Sequence, residues 1–269
     1  MPEFLFNHLT GLLMQRRNFV KAVGIMAAAP AIQGIASPLA PASAKKEIYE
    51  WRIYTLTGGG DLPDAFFKDV LIPAYNRFGI QAGAFAPYKK EEEEKRHILF
   101  IYPDLETFHT VKKEIWNDAG FRKDAQPFFD ASASSPAYAA FDTYLSEAFD
   151  KIPVHQTPDK SRGLFEIRIY RSPNEEANRR KVKMFNADEI DIFDKVGVNS
   201  VCYGEVFAAP RMPSVMYLTW YKDETARAEA WAKFGAHPDW QRIRALPEYA
   251  YTATDNQSIF LSPLPYSQL

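Results

Sequence analysis

The sequence predicts an α+β protein made of two tandem β-α-β-β-α-β units, the ferredoxin-like motif. Two observations predict it. The strand-like stretch Ile48-Tyr49-Glu50-Trp51-Arg52-Ile53-Tyr54 recurs 116 residues later as Leu164-Phe165-Glu166-Ile167-Arg168-Ile169-Tyr170. Three further landmarks then repeat in the same order: Gly79-Ile80 with Gly197-Val198, Leu99 to Tyr102 with Tyr217 to Trp220, and Tyr144-Leu145-Ser146 with Phe260-Leu261-Ser262. Four matched landmarks in one order point to an internal repeat.

Each unit opens on a strand with period-two alternation, over 47–55 and 164–171. A first helix follows over 62–78 and 174–196. In the second unit Asn174 is placed to cap it, and Met184, Ile190, Phe193 and Val196 supply the apolar stripe. Gly79 and Gly197 suit the helix ends, where a left-handed residue stops the helix. A β-hairpin is expected over 81–103 and 199–221, a second helix over 104–126 and 223–245, and a last strand over 140–148 and 256–262. The units then run 45–150 and 163–269, joined by the proline-containing linker 151–162. A four-stranded sheet with both helices on one side leaves its other face bare. Two such faces packed together make an α/β barrel, closed within one chain or shared between chains.

Ahead of the first unit, Arg16-Arg17-Asn18-Phe19-Val20-Lys21 reads as a twin-arginine signal. The alanine-rich run from Ala22 to Ala29 is too short to remain as a membrane span, and Ala42-Ser43-Ala44 offers a small-residue cleavage pattern. Residues 1–44 are therefore expected to be a removable signal, with export to the periplasm or beyond. The signal is complete from Met14, so either Met1 or Met14 serves as its start. No cysteine near the cleavage point offers a lipid anchor, and the single cysteine, Cys202, excludes an intrachain disulfide.

The net charge of −2 carries no basic excess for nucleic acid. Hydrophobic residues at 46% and aromatic residues at 14% are enough for a packed core. The five histidines, His8, His97, His109, His155 and His237, show no close ligand spacing, so no metal and no cofactor are expected. Gly58-Gly59-Gly60 lacks the Lys-Ser/Thr ending of a phosphate loop and reads as a connector. The run Glu91 to Glu94, flanked by lysines and Arg96, reads as a solvated hairpin tip.

The second unit resembles a NIPSNAP domain, within the dimeric α/β-barrel superfamily. The matching residues are Met184-Phe185-Asn186, Glu189 to Phe193, Gly197, Tyr203-Gly204-Glu205, the tip Pro210-Arg211-Met212-Pro213, Trp231 to Phe234 and Pro238-Asp239-Trp240. The first unit keeps Glu50-x-Arg52-x-Tyr54 and replaces that tip with Lys89-Lys90 and glutamates. The resemblance implies the fold. It transfers no catalytic residues, and the monooxygenases of the wider superfamily are an analogy of fold alone.

Period-two geometry puts Glu50, Arg52 and Tyr54 on one strand face, and Glu166, Arg168 and Tyr170 on the matching face of the second unit. The apolar face is expected to pack under the helices, and the polar face to point into the barrel. Paired carboxylates, guanidiniums and phenols there suit a small acidic or hydroxylated ligand. The competing role is an ion-pair cluster that fixes how two sheets meet. Glu205 and Arg211 flank the second hairpin tip and are further ligand candidates, against a plain proline turn. His237 is a candidate acid–base group or haem ligand, against a cap or surface residue. Three readings follow: an exported small-molecule binder, a periplasmic oxidoreductase or monooxygenase, and an interaction module, each compatible with a homo-oligomer.

Overall fold

The computed structural model describes residues 45–89, 94–130 and 135–269. The twin-arginine segment, its cleavage pattern and residues 90–93 of the acidic hairpin tip lie outside the described residues.

The chain alternates strand pairs with helical segments. In the first half, β1 (Ile48–Leu56) leads to α1 (Asp61–Phe66), a π turn (Phe67–Leu71) and α2 (Ile72–Asn76). β2 (Gln81–Pro87), β3 (Lys95–Tyr102), α3 (Leu105–Glu114), α4 (Ala119–Phe129) and β4 (Tyr138–Ala148) complete it. The second half repeats that order. β5 (Leu164–Arg171) is followed by α5 (Glu175–Met184), a π turn (Phe185–Glu189) and α6 (Ile190–Val196). Then come β6 (Asn199–Ala208), β7 (Ser214–Tyr221), α7 (Glu224–Ala236), α8 (Pro238–Arg244) and β8 (Asp255–Pro263). Asn174 caps α5 by accepting from the Ala177 amide at 2.9 Å. Gly79 and Gly197 stand at φ of +75° and +86°, the left-handed conformation that ends the first helical segment of each half.

Among the described residues eight strands close into one antiparallel barrel, in the order β1-β3-β2-β8-β5-β7-β6-β4. The first half supplies the run β4-β1-β3-β2 and the second the run β8-β5-β7-β6. Two seams join them, β2 to β8 and β4 to β6, so the barrel closes within one chain. The β2–β8 seam is short, from Phe85–Pro263 to Pro87–Leu261. The segment after β8 extends it: Leu264 and Gln268 donate backbone N–H groups to Ala84 and Ala82, whose own N–H groups donate to Ser267 Oγ and Gln268 Oε1.

The strand faces are the reverse of the sequence expectation. Tyr49, Trp51 and Ile53 point into the barrel, where they meet Phe85, Phe165 and Met216. Ile48 and Tyr54 point outward with Phe100 and Tyr102 and pack under the helices of the first half. Glu50, Arg52, Glu166 and Arg168 share that outward face. The physical reason is partner supply. An eight-stranded barrel is just wide enough for side chains to fill, and a charge buried there without a partner costs several kcal/mol, of order 3–5 for a broken pair. Helices laid on the outer face bring Tyr75, Lys112 and Arg227 to those charges.

Candidate functional site

In the first half the outward face of β1 builds a closed polar cluster. Arg52 donates to Glu50 twice, Nε to Oε1 at 2.9 Å and Nη2 to Oε2 at 3.1 Å. Its Nη2 also donates to the Tyr75 hydroxyl from α2 at 2.6 Å. The Tyr102 hydroxyl on β3 donates to Glu50 Oε2 at 2.6 Å, and Lys112 of α3 donates to Oε1 at 3.0 Å. The Arg52 guanidinium stands 4.7 Å from the Phe100 ring centroid, a cation–π contact. Burial alone would raise the Glu50 carboxyl. The charge and hydrogen bonds of Arg52, with Lys112 and Tyr102, overcome burial and hold it at about 2. Burial and the Arg52 charge lower Lys112 against the pull of Glu50. With one carboxylate and two cations, the cluster is net positive.

The second half builds the counterpart with different donors. Arg168 Nη1 donates to Glu166 Oε1 at 2.8 Å, and its Nε to the Tyr170 hydroxyl at 2.9 Å. Arg227 of α7 grips the same carboxylate with both Nε and Nη2, at 2.9 and 2.8 Å, and Trp231 Nε1 adds a donor at 3.2 Å. Burial opposes ionisation of Glu166; the Arg227 hydrogen bonds and the charges of Arg168 and Arg227 win and lower its pKa. Beside Tyr170, Lys181 donates to Glu189 at 2.7 Å, a buried pair lying over the Tyr170 and Phe185 rings.

A cavity of about 160 Å³ opens on the first cluster only at its apolar side. Arg52, Tyr54, Tyr75 and Lys112 give it one polar edge, and Phe66, Leu71, Phe121, Phe128 and Tyr138 are among its walls. Trp116, Phe129 and Phe141 line its rim and are exposed to solvent. An apolar cavity of about 150 Å³ takes up benzene, so this one suits a single ring or a branched chain of that size. A ligand acceptor group would face Arg52 and Lys112.

The half of the barrel that carries Glu166, Arg168 and Tyr170 decides the family comparison. Residues 165–268 match the NIPSNAP family. The chain is similar to a NIPSNAP-like domain protein from Burkholderia xenovorans at 26% identity, with a TM-score of 0.35 over 39% of this chain and 89% of that one. A NIPSNAP family protein of unknown function from Agrobacterium tumefaciens is similar at 21% identity and a TM-score of 0.36, over 43% and 99%. A candidate monooxygenase from Fusobacterium nucleatum covers 81% of this chain and 93% of its own length at 10% identity and a TM-score of 0.48. No curated protein matches the chain in sequence.

Three further candidates fall in the half that matches that family, away from the Glu166 cluster. Glu205 accepts from Asn178 Nδ2 at 3.3 Å on the outer side of β6. Arg211 is exposed in the β6–β7 turn. His237 caps α8, its Nδ1 accepting from the Asp239 amide at 3.2 Å. The two Glu-x-Arg-x-Tyr triplets, expected to meet in one barrel cavity, instead lie in separate sheet–helix layers. Tyr75, Tyr102, Lys112, Arg227 and Trp231 were not among the candidate site residues read from the sequence, although Tyr102 and Trp231 were named as a repeat landmark and as part of the family resemblance. The signal that finds some of them is a charged or indole side chain one or two turns past a helix cap: Arg227 follows the Asp223 cap by four residues, and Lys112 and Trp231 follow Asp104 and Asp223 by eight.

Among the described residues no group of three His, Cys, Asp or Glu side chains is placed to hold a metal ion. No described helix is long and apolar enough to cross a membrane.

Proposed function

We propose that this chain is a NIPSNAP-type small-molecule binding protein, exported through the twin-arginine signal at Arg16-Arg17, whose ligand sits between sheet and helices in the first half. In this reading the two halves, 45–150 and 163–269, are diverged copies of one ferredoxin-like unit. The first keeps an open site and the NIPSNAP copy a packed one. The carrying observation is the aromatic cavity with Arg52, Tyr75 and Lys112 at one edge. Its size and walls favour a ring-sized apolar body, and its two cations against one carboxylate favour an anionic or strongly accepting group.

Titration with benzoate tests this, read by the fluorescence of Trp116 on the rim and by calorimetry. Benzoate should bind and quench, phenol should bind more weakly, and benzylamine should not bind. Leu71→Trp, which fills the cavity, should abolish binding. Equal binding of benzoate by Leu71→Trp, or no binding of any ring-sized acid by the parent chain, rules the reading out. Export is tested separately by fractionation: Arg16→Lys with Arg17→Lys should leave the chain in the cytoplasm.

A further inference from the structure

The inward faces of the strands carry an independent site, at one end of the barrel. On β3, Lys95 and His97 share the inward face with Leu99 and Ile101, and the latter two belong to the barrel core. His97 is only 2% exposed. Its Nδ1 is enclosed and has no hydrogen-bond partner among the described residues. His97 is held mid-sheet, opposite Ile53 on β1 and Phe85 on β2, so it cannot swing out to water. An unpaired buried polar atom costs about 1–3 kcal/mol.

Nδ1 itself is walled off, but the rest of the ring borders a cavity. A space of about 300 Å³ opens beside His97, lined also by Lys95, Asp142, Tyr144 and Ser258, with Ile53, Ile169 and Ile259 beneath. The wall carries one charge of each sign, Lys95 and Asp142, and so selects neither a simple anion nor a simple cation. Burial and the Lys95 charge hold the His97 imidazole down at about 3, so at neutral pH the ring meets the cavity without charge. The isoleucines offer an apolar floor.

We infer that this barrel mouth binds a small zwitterion of the free α-amino acid class, its ammonium and carboxylate groups shared among Asp142, Lys95 and His97 and its side chain resting on Ile53, Ile169 and Ile259. The site shares no residue with the cavity between sheet and helices, and stands or falls without it.

The test titrates the free amino acids singly into the full chain at pH 7, followed by side-chain ¹⁵N NMR of histidine and by calorimetry. At least one should move the His97 ring resonances and saturate below about 10 mM. Acetate and ethylamine should each bind about tenfold more weakly than that amino acid, the loss of one charge-assisted contact. His97→Leu should weaken binding about tenfold. Asp142→Asn, at an exposed position on β4, should do the same and carries the test alone if the histidine variant does not fold. Benzoate at saturation should leave the titration unchanged. The inference is overturned if no amino acid moves the His97 resonances. It is equally overturned if acetate or ethylamine binds as well as the amino acid, or if Asp142→Asn binds like the parent chain.

Discussion

The two sheet–helix layers start from the same strand triplet and end as different objects. In each, a glutamate on the first strand is held by an arginine two residues on and by a cation from the second helical segment. In the first half that cation is Lys112, two turns past its cap and partly open to solvent. In the second it is Arg227, one turn past its cap, gripping Glu166 with two nitrogens, while Trp231 takes the two-turn position. The first helical segments diverge as well. Both carry a π turn opening on a buried phenylalanine, Phe67 or Phe185. The first closes on Leu71, on the wall of a cavity; the second closes on Glu189, ion-paired with Lys181. One layer has room and the other has filled it with a salt bridge and an indole. A shared strand motif therefore identifies the scaffold of a site, and the helices decide whether there is one.

That contrast can be broken by substitution. Glu166→Ala should have the largest effect, because it removes a fully buried carboxylate and leaves the half-buried Arg168 and Arg227 facing each other without one. A loss of about 3–5 kcal/mol in denaturant unfolding is expected. Glu189→Leu, which writes the first half's residue into the second, should cost about 3–5 kcal/mol alone by stranding Lys181. Adding Lys181→Met should recover most of that loss, since an apolar pair of similar volume is often as stable as a buried ion pair. Glu50→Ala should cost less than Glu166→Ala, about 1–3 kcal/mol, because Lys112 can turn to solvent and Arg52 keeps Tyr75 and the Phe100 ring. The Glu50 carboxyl is depressed by folding, so its contribution is complete above about pH 4.3 and is lost as the pH falls through about 2. Glu50→Gln should flatten that part of an acid titration.

The smallest effect concerns the barrel interior. His97 is held neutral in the folded chain down to about pH 3, whereas an unfolded histidine protonates near pH 6.5. Below about pH 6.5 the unfolded state binds the extra proton, so stability falls with falling pH by about 1.4 kcal/mol per pH unit. His97→Leu should remove this slope between about pH 6.5 and 5, where carboxylates do not yet contribute.

The strands and their order were legible because period two and the repeated triplet are properties of neighbouring residues. Which face turns inward was not. Both faces of β1 carry large side chains, Tyr49 and Trp51 on one and Ile48 and Tyr54 on the other, so side-chain bulk gives no direction. The direction is set by partners remote in sequence, Tyr75, Tyr102 and Lys112, which no strand pattern reveals. The second helix expected over 104–126 is two helices because Asp118 caps a fresh start, accepting from the Phe121 amide at 2.9 Å. The π turns were equally hidden, as they alter the hydrogen bonding without altering the apolar stripe. The cavity hinges on single positions such as Leu71 against Glu189, a difference that acquires meaning only once the two layers are superposed.

The two seams of the barrel have a consequence for inheritance. A barrel assembled from identical chains would carry every substitution twice, so an open layer and a filled one could not coexist in it. Here β2–β8 and β4–β6 stitch both sheets into a single polypeptide, and each layer answers to its own stretch of gene. One side is free to drift toward pure scaffolding while the other keeps its open space.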